Sequence, residues 1–150
     1  MKFQKWLLLA VALVALGGFT QRSHAQSSDL SYTEGPVVTV SYIRTEPGRF
    51  DDYMAYLAGN YKHLMDEQKK AGIILDYGIY SAEQRNEHDP DLMLTVTYAN
   101  MAALDNLDDK TRAILAKVWG SRQASNAASI DRGKMRTEVG GQLLRKLILK

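Results

Sequence analysis

The 150 residues contain no cysteine. That excludes disulfides, thiol nucleophiles, cysteine metal sites and a lipid-modified N-terminal cysteine. Proline is scarce too, with only Pro36, Pro47 and Pro90. The apolar run Trp6–Leu16 has 11 residues, or 14 if stretched to Phe19, short of the roughly 20 that span a bilayer. Also missing are a phosphate-cradling glycine loop, a His-Glu-x-x-His pair and a nucleophile elbow. No internal repeat or low-complexity tract appears. Function therefore has to be read from fold and side-chain placement, not from a motif.

What is present begins with a targeting layout. A basic start (Met1–Lys5) leads into the apolar run, then Gly17-Gly18 and a polar stretch closing on Ser23-His24-Ala25. These are the three parts of a secretory signal, with cleavage expected after Ala25 and a periplasmic or secreted destination. Cleavage removes Lys2, Lys5 and Arg22, leaving 16 basic residues against 17 acidic ones and a net charge of about −1. The precursor's basic balance thus belongs to residues 1–25 and gives no reason to expect nucleic acid. No membrane contact is expected once the signal is gone. About 125 residues remain, one domain large enough to hold a core without covalent staples.

Residues 26–35 are polar and read as a flexible leader, so the domain is expected over 36–150. Val37–Arg44 has strand character, and Pro47-Gly48 forms a corner. Phe50, Met54, Leu57, Tyr61, Leu64 and Met65 recur at helical spacing from about Arg49 to Ala71. Asp51 and Asp52 suit the first turn of that helix, and Lys69 and Lys70 the last. Gly59 weakens it internally, and Gly72 ends it. Strands follow at Ile73–Tyr80 and Leu92–Tyr98, joined by a charged loop containing Asp89-Pro90. Asn100 can cap a short helix at Met101–Leu107, and a second helical piece runs from about Asp109 to Trp119. Gly120–Gly133 is small and polar with no assignable element. Gln142–Leu149 fits a strand or a terminal helix, and Gly140-Gly141 before it favours the strand.

The order strand, helix, strand, strand, helix, strand is an α+β, ferredoxin-like βαββαβ plan: an antiparallel sheet with helices on one face. The more apolar strand set (Val38, Val40, Leu75, Tyr77, Leu92, Leu94, Val96) is assigned to the helix side. The opposite set (Val37, Thr39, Ser41, Ile43, Ile74, Asp76, Gly78, Tyr80, Met93, Thr95, Thr97) is semi-apolar. A face of that kind is expected to be covered, most economically by a second copy of the chain.

The run Thr39–Tyr42 leading into Glu46-Pro47-Gly48-Arg49-Phe50-Asp51 resembles the dimeric α+β barrel superfamily, whose members often turn from first strand to first helix through Pro-Gly. The resemblance covers Val37 to Leu149. It implies two sheets face to face, a homodimer, and a cleft or cavity in each subunit. The superfamily includes small monooxygenases of polyketide-like substrates, haem-degrading enzymes, chlorite dismutase relatives and many small proteins of unknown role.

The expected function is a secreted homodimer binding a small hydrophobic molecule. Alternatives are a cofactor-independent monooxygenase- or isomerase-like enzyme, a haem-binding relative, or an assembly module whose polar strand face is only an interface. No cofactor is assigned. Thr39, Ser41, Thr95, Thr97 and Arg145 are candidate ligand residues, since a few convergent polar groups in an apolar pocket line small-ligand sites; β propensity explains the threonines equally. Asp76 and Tyr80 are the catalytic candidates. A half-buried Asp76 would have a raised pKa and accept a proton, unless Arg145 pairs with it structurally. His63 sits off the helix's apolar stripe, as a surface histidine would. Glu87-His88-Asp89 with Asp91 lacks recognised metal spacing. Arg132, Lys134, Arg136, Arg145 and Lys146 either gather an anion near Gly140-Gly141 or are scattered solubility charges.

Overall fold

The computed structural model describes residues 30–150. The expected signal and the start of the leader lie outside the described residues. Four strands form one antiparallel sheet: β1 (Tyr32–Thr45), β2 (Asp76–Ser81), β3 (Leu92–Tyr98) and β4 (Arg136–Leu149), in the order β2-β3-β1-β4. Between β1 and β2 runs helix α1 (Phe50–Tyr56), a π turn (Leu57–Tyr61) and helix α2 (Lys62–Lys70). Between β3 and β4 lie a 3₁₀ turn (Met101–Leu104), α3 (Leu107–Trp119) and α4 (Arg122–Gly133). This is the ferredoxin-like architecture, with its helices on one face of the sheet.

β1 starts at Tyr32, inside the stretch expected to be leader. Tyr32, Thr33 and Glu34 pair with Leu149, Ile148 and Leu147, and the register shifts between Glu34 and Val37. Gly35-Pro36 occupies that irregularity, where a missing backbone donor breaks no ladder bond. The strand therefore passes through the proline instead of beginning after it.

Register also corrects the assignment of β1's faces. Cross-strand partners share a face, and Val37, Thr39, Ser41 and Ile43 lie opposite Tyr98, Val96, Leu94 and Leu92. The β3 residues of this set pack with Tyr53 and Leu57 in one cluster and with Met65 and Ile74 in another, so the Thr39/Ser41 set looks toward the helices. Val38, Val40 and Tyr42 belong to the open face. Ile43 and Val37, both fully buried, anchor the two ends of this row, and the two hydroxyl residues sit between them. In β2, Tyr77 and Ile79 face the helices as expected, but Ile73–Leu75 is not yet strand. Ile74 is buried there and Leu75 exposed, the reverse of the expected alternation.

The long helix shows a second change of phase. Its first turn buries Tyr53 and exposes Phe50, and the π turn inserts its wider winding at Leu57–Tyr61 around Gly59. Gly72 closes the end of α2 at φ 71°, as the left-handed stop predicts. The unassigned Gly120–Gly133 stretch is α4. The Ser121 hydroxyl accepts from the Ala124 amide at 3.0 Å, and no residue of α4 is fully buried, so it has no apolar stripe to read. Asn100 caps the 3₁₀ turn through the Ala103 amide, and α3 begins two residues before the expected Asp109.

Candidate functional site

A cavity of about 190 Å³ lies between the sheet and the helices, lined by Thr39, Ser41 and Ile43 of β1, Leu94 and Val96 of β3, Tyr53, Tyr61, Arg132 and Arg136. Its floor is the middle of β1, where small hydroxyl side chains replace the bulk that Val37 and Ile43 supply at either end. Thr39 donates to the Val96 carbonyl at 3.4 Å. Its walls are two aromatic residues, each with a packing role. The Tyr53 ring stacks on Tyr56 with centroids 6.0 Å apart, and Tyr61 meets Tyr77 edge-on at 6.2 Å. Tyr61 also touches both core clusters. Burial pushes the Tyr53 and Tyr61 phenols above their ordinary range, although the Arg136 and Arg132 charges pull Tyr53 partly back. Both hydroxyls keep their protons at neutral pH and are available as donors.

Two guanidinium groups complete the lining. Arg132, on the last turn of α4, donates to the Tyr56 hydroxyl at 3.3 Å and to the Ser129 hydroxyl at 3.2 Å. It has no carboxylate partner among the described residues. Arg136 opens β4 and is only 14% exposed at its side chain. It donates to Glu138 at 3.0 Å, while its Nε is shut from solvent with no hydrogen-bond partner among the described residues.

A β-bulge brings Arg136 to this side. Tyr42 pairs with Gly140 but Ile43 pairs with Glu138, so Val139 is an extra residue and the alternation of β4 slips by one. Gly141, Leu143 and Arg145 share the helix-side face beyond the bulge. Before it, Glu138 and Arg136 share that face with Ile43 and Thr45.

The structure divides the residues singled out from sequence. Thr39 and Ser41 reach the cavity. Thr95, Thr97, Asp76 and Tyr80 lie on the open face, where Asp76 pairs with Thr97, Gly78 with Thr95 and Tyr80 with Met93. Asp76 is 66% exposed at its side chain and takes Lys69 as its partner at 2.8 Å. That hydrogen bond and charge hold its carboxyl below the ordinary range, opposite to the expected rise, because β2 is an edge strand and the residue is wet. Tyr80 is 56% exposed, its ring lying over Gly78, where a Cβ would come within 2.8 Å of it. Arg145 pairs with Glu34 across β1 instead of with Asp76. His63 is exposed on α2.

The charged loop shows no cation cage. Asp91 receives the Thr45 amide and hydroxyl, Asp89 receives Arg85 and Asn86, and His88 is exposed beside Glu87. Among the described residues no group of three or more His, Asp or Glu side chains is placed to hold a metal ion. Larger hollows exist between α3 and α4 (about 390 Å³) and beside the Pro47-Gly48 corner (about 530 Å³). Both are lined mainly by exposed side chains, with Arg112 of the first already paired to Asp109. In the smaller cavity half-buried polar groups converge on apolar walls.

Tyr53, Tyr61 and the pairing of Arg132 with Arg136 were not legible as a site. The signal that points to them is the cluster of basic residues flanking Gly140-Gly141, two of which reach the cavity.

The topology defines an antiparallel α+β domain of ferredoxin-like type. No family model matches the chain, and no curated protein matches it. Among solved structures it is similar to HapK from Hahella chejuensis, at 9% identity and a TM-score of 0.47, covering 73% of this chain and 91% of that one. A protein from Shewanella oneidensis is similar at 13% identity and a TM-score of 0.49, covering 78% and 96%. A dimeric ferredoxin-like protein from an uncultured marine organism is similar at 11% identity and a TM-score of 0.48, covering 79% and 90%.

Proposed function

We propose that the chain is an exported, homodimeric small-molecule-binding protein whose ligand occupies the cavity between sheet and helices. The observation that carries this reading is the row Val37, Thr39, Ser41, Ile43: its ends are sealed into the core while its centre faces a hollow. A sheet built only for packing would fill that centre, since interiors close at near-crystalline density. At about 190 Å³, the space is below the roughly 300–1,000 Å³ of drug-sized sites and suits a compact molecule.

Binding is favoured over proton-transfer catalysis by the chemistry of the lining. The phenols are held protonated, arginine does not give up its proton, and the serine and threonine hydroxyls have no base beside them. These groups donate hydrogen bonds to a guest; none of them draws a proton from it.

Ser41→Leu is the test, because it fills the cavity without removing a charged group. The chain recovered from the exported fraction, with an intact mass expected to begin at Gln26, is titrated calorimetrically with small aromatic compounds. The native chain is expected to bind members of this set and the variant to lose them. Equal binding by both would remove the cavity as the ligand site.

A further inference from the structure

We infer that the ligand of this cavity is a small organic carboxylate on a compact apolar skeleton, its charge held by Arg132 and Arg136. This rests on the cavity being the ligand site. Among the described residues the charged side chains lining the space are two guanidinium groups, and the carboxylate bonded to one of them, Glu138 on Arg136, lies outside the lining. One positive charge is left over, so the complement is a monoanion.

The manner in which the two arginines are held points the same way. Among the described residues Arg132 is steadied by the neutral oxygens of Tyr56 and Ser129, which orient a guanidinium without neutralising it. Arg136 is tucked away with a buried Nε unbonded, an arrangement that is costly without compensation. Nothing in packing alone requires two like charges around one hollow. Flat guanidinium forks suit a carboxylate's two oxygens, and the protonated Tyr53 and Tyr61 hydroxyls are further donors in the same lining. Ile43, Leu94 and Val96 supply the surface for the uncharged remainder.

Benzoate and its uncharged isostere benzamide separate the charge requirement from simple filling. Calorimetric titrations with both are run on the native chain, Arg132→Gln, Arg136→Met and Ser41→Leu, each checked for native circular dichroism. Benzoate is expected to bind about tenfold or more tighter than benzamide, the size of a charge-assisted hydrogen bond. That preference should vanish in Arg132→Gln, which keeps the test open should Arg136→Met fail to fold. Equal affinity for the two probes, or an unchanged preference in Arg132→Gln, overturns the carboxylate assignment. If Ser41→Leu still abolishes binding in that case, the cavity stands as the ligand site. Failure of the native chain to bind either probe overturns both.

Discussion

Two phenols near the sheet centre have a consequence that bulk titration can read. Burial raises Tyr61 well above its ordinary 10.0, so in the fold it keeps a proton that the unfolded chain releases. A group with a raised folded pKa contributes stability that is complete below the unfolded value and is lost as pH climbs through the folded one. Stability should therefore fall on the alkaline side of about pH 10, and Tyr61→Phe should flatten that fall. Denaturant midpoints measured across this range check it; parallel curves for the two proteins would exclude Tyr61 as the source. Much of this site could be seen only piecemeal in the sequence. Thr39 and Ser41 stand out as polar residues in a strand, but polarity suggested the outer face. The inner face was polar because it borders a cavity, an arrangement that alternation of hydrophobicity cannot distinguish from exposure.

At the scale of the element, β1 and β4 show where the reading held and where it stopped. The order of elements, the Pro47-Gly48 corner and the Gly72 stop follow from local chemistry and match the structure. The passage of β1 through Gly35-Pro36 does not, because it depends on Leu147–Leu149 arriving from the far end of the chain. The phase slip at Val139 is equally hidden: nothing in the run Arg136–Leu149 says which residue stays unpaired. Gly141 marks the close approach that accompanies the slip, since an added Cβ would lie 2.9 Å from the Val40 carbonyl oxygen. That neighbour is backbone and cannot swing aside. Gly141→Ala should destabilise the domain by about 1–3 kcal/mol, the usual cost of overpacking, seen as a lower urea midpoint. Gly140→Ala, whose Cβ would meet only the Tyr42 ring at 3.7 Å, serves as the mild comparison; an equal loss in both would argue against the close approach.

For the whole molecule, the helices leave one sheet face open, and β4 is a 14-residue edge. Leu143, Leu144, Leu147, Ile148 and Leu149 are all exposed along it. Long apolar edges of this kind are blunted or covered in proteins that stay dispersed, which supports pairing with a second copy. Leu144 pairs with Val38 on the open face and is 46% exposed. Leu144→Glu should shift the mass in sedimentation from two chains to one while the cavity of each chain persists. A single-chain mass for the native protein would remove the dimer.

The pairing of Tyr32 with Leu149 joins the earliest and latest parts of the described chain, and the Lys150 amide donates to the Ser31 carbonyl beyond it. During synthesis β1 emerges before the other three strands and must wait, one flank bare, until β4 is made. Such distant closure slows folding relative to a helical bundle of equal size, and the outer flank of β1 stays unsealed until β4 is delivered.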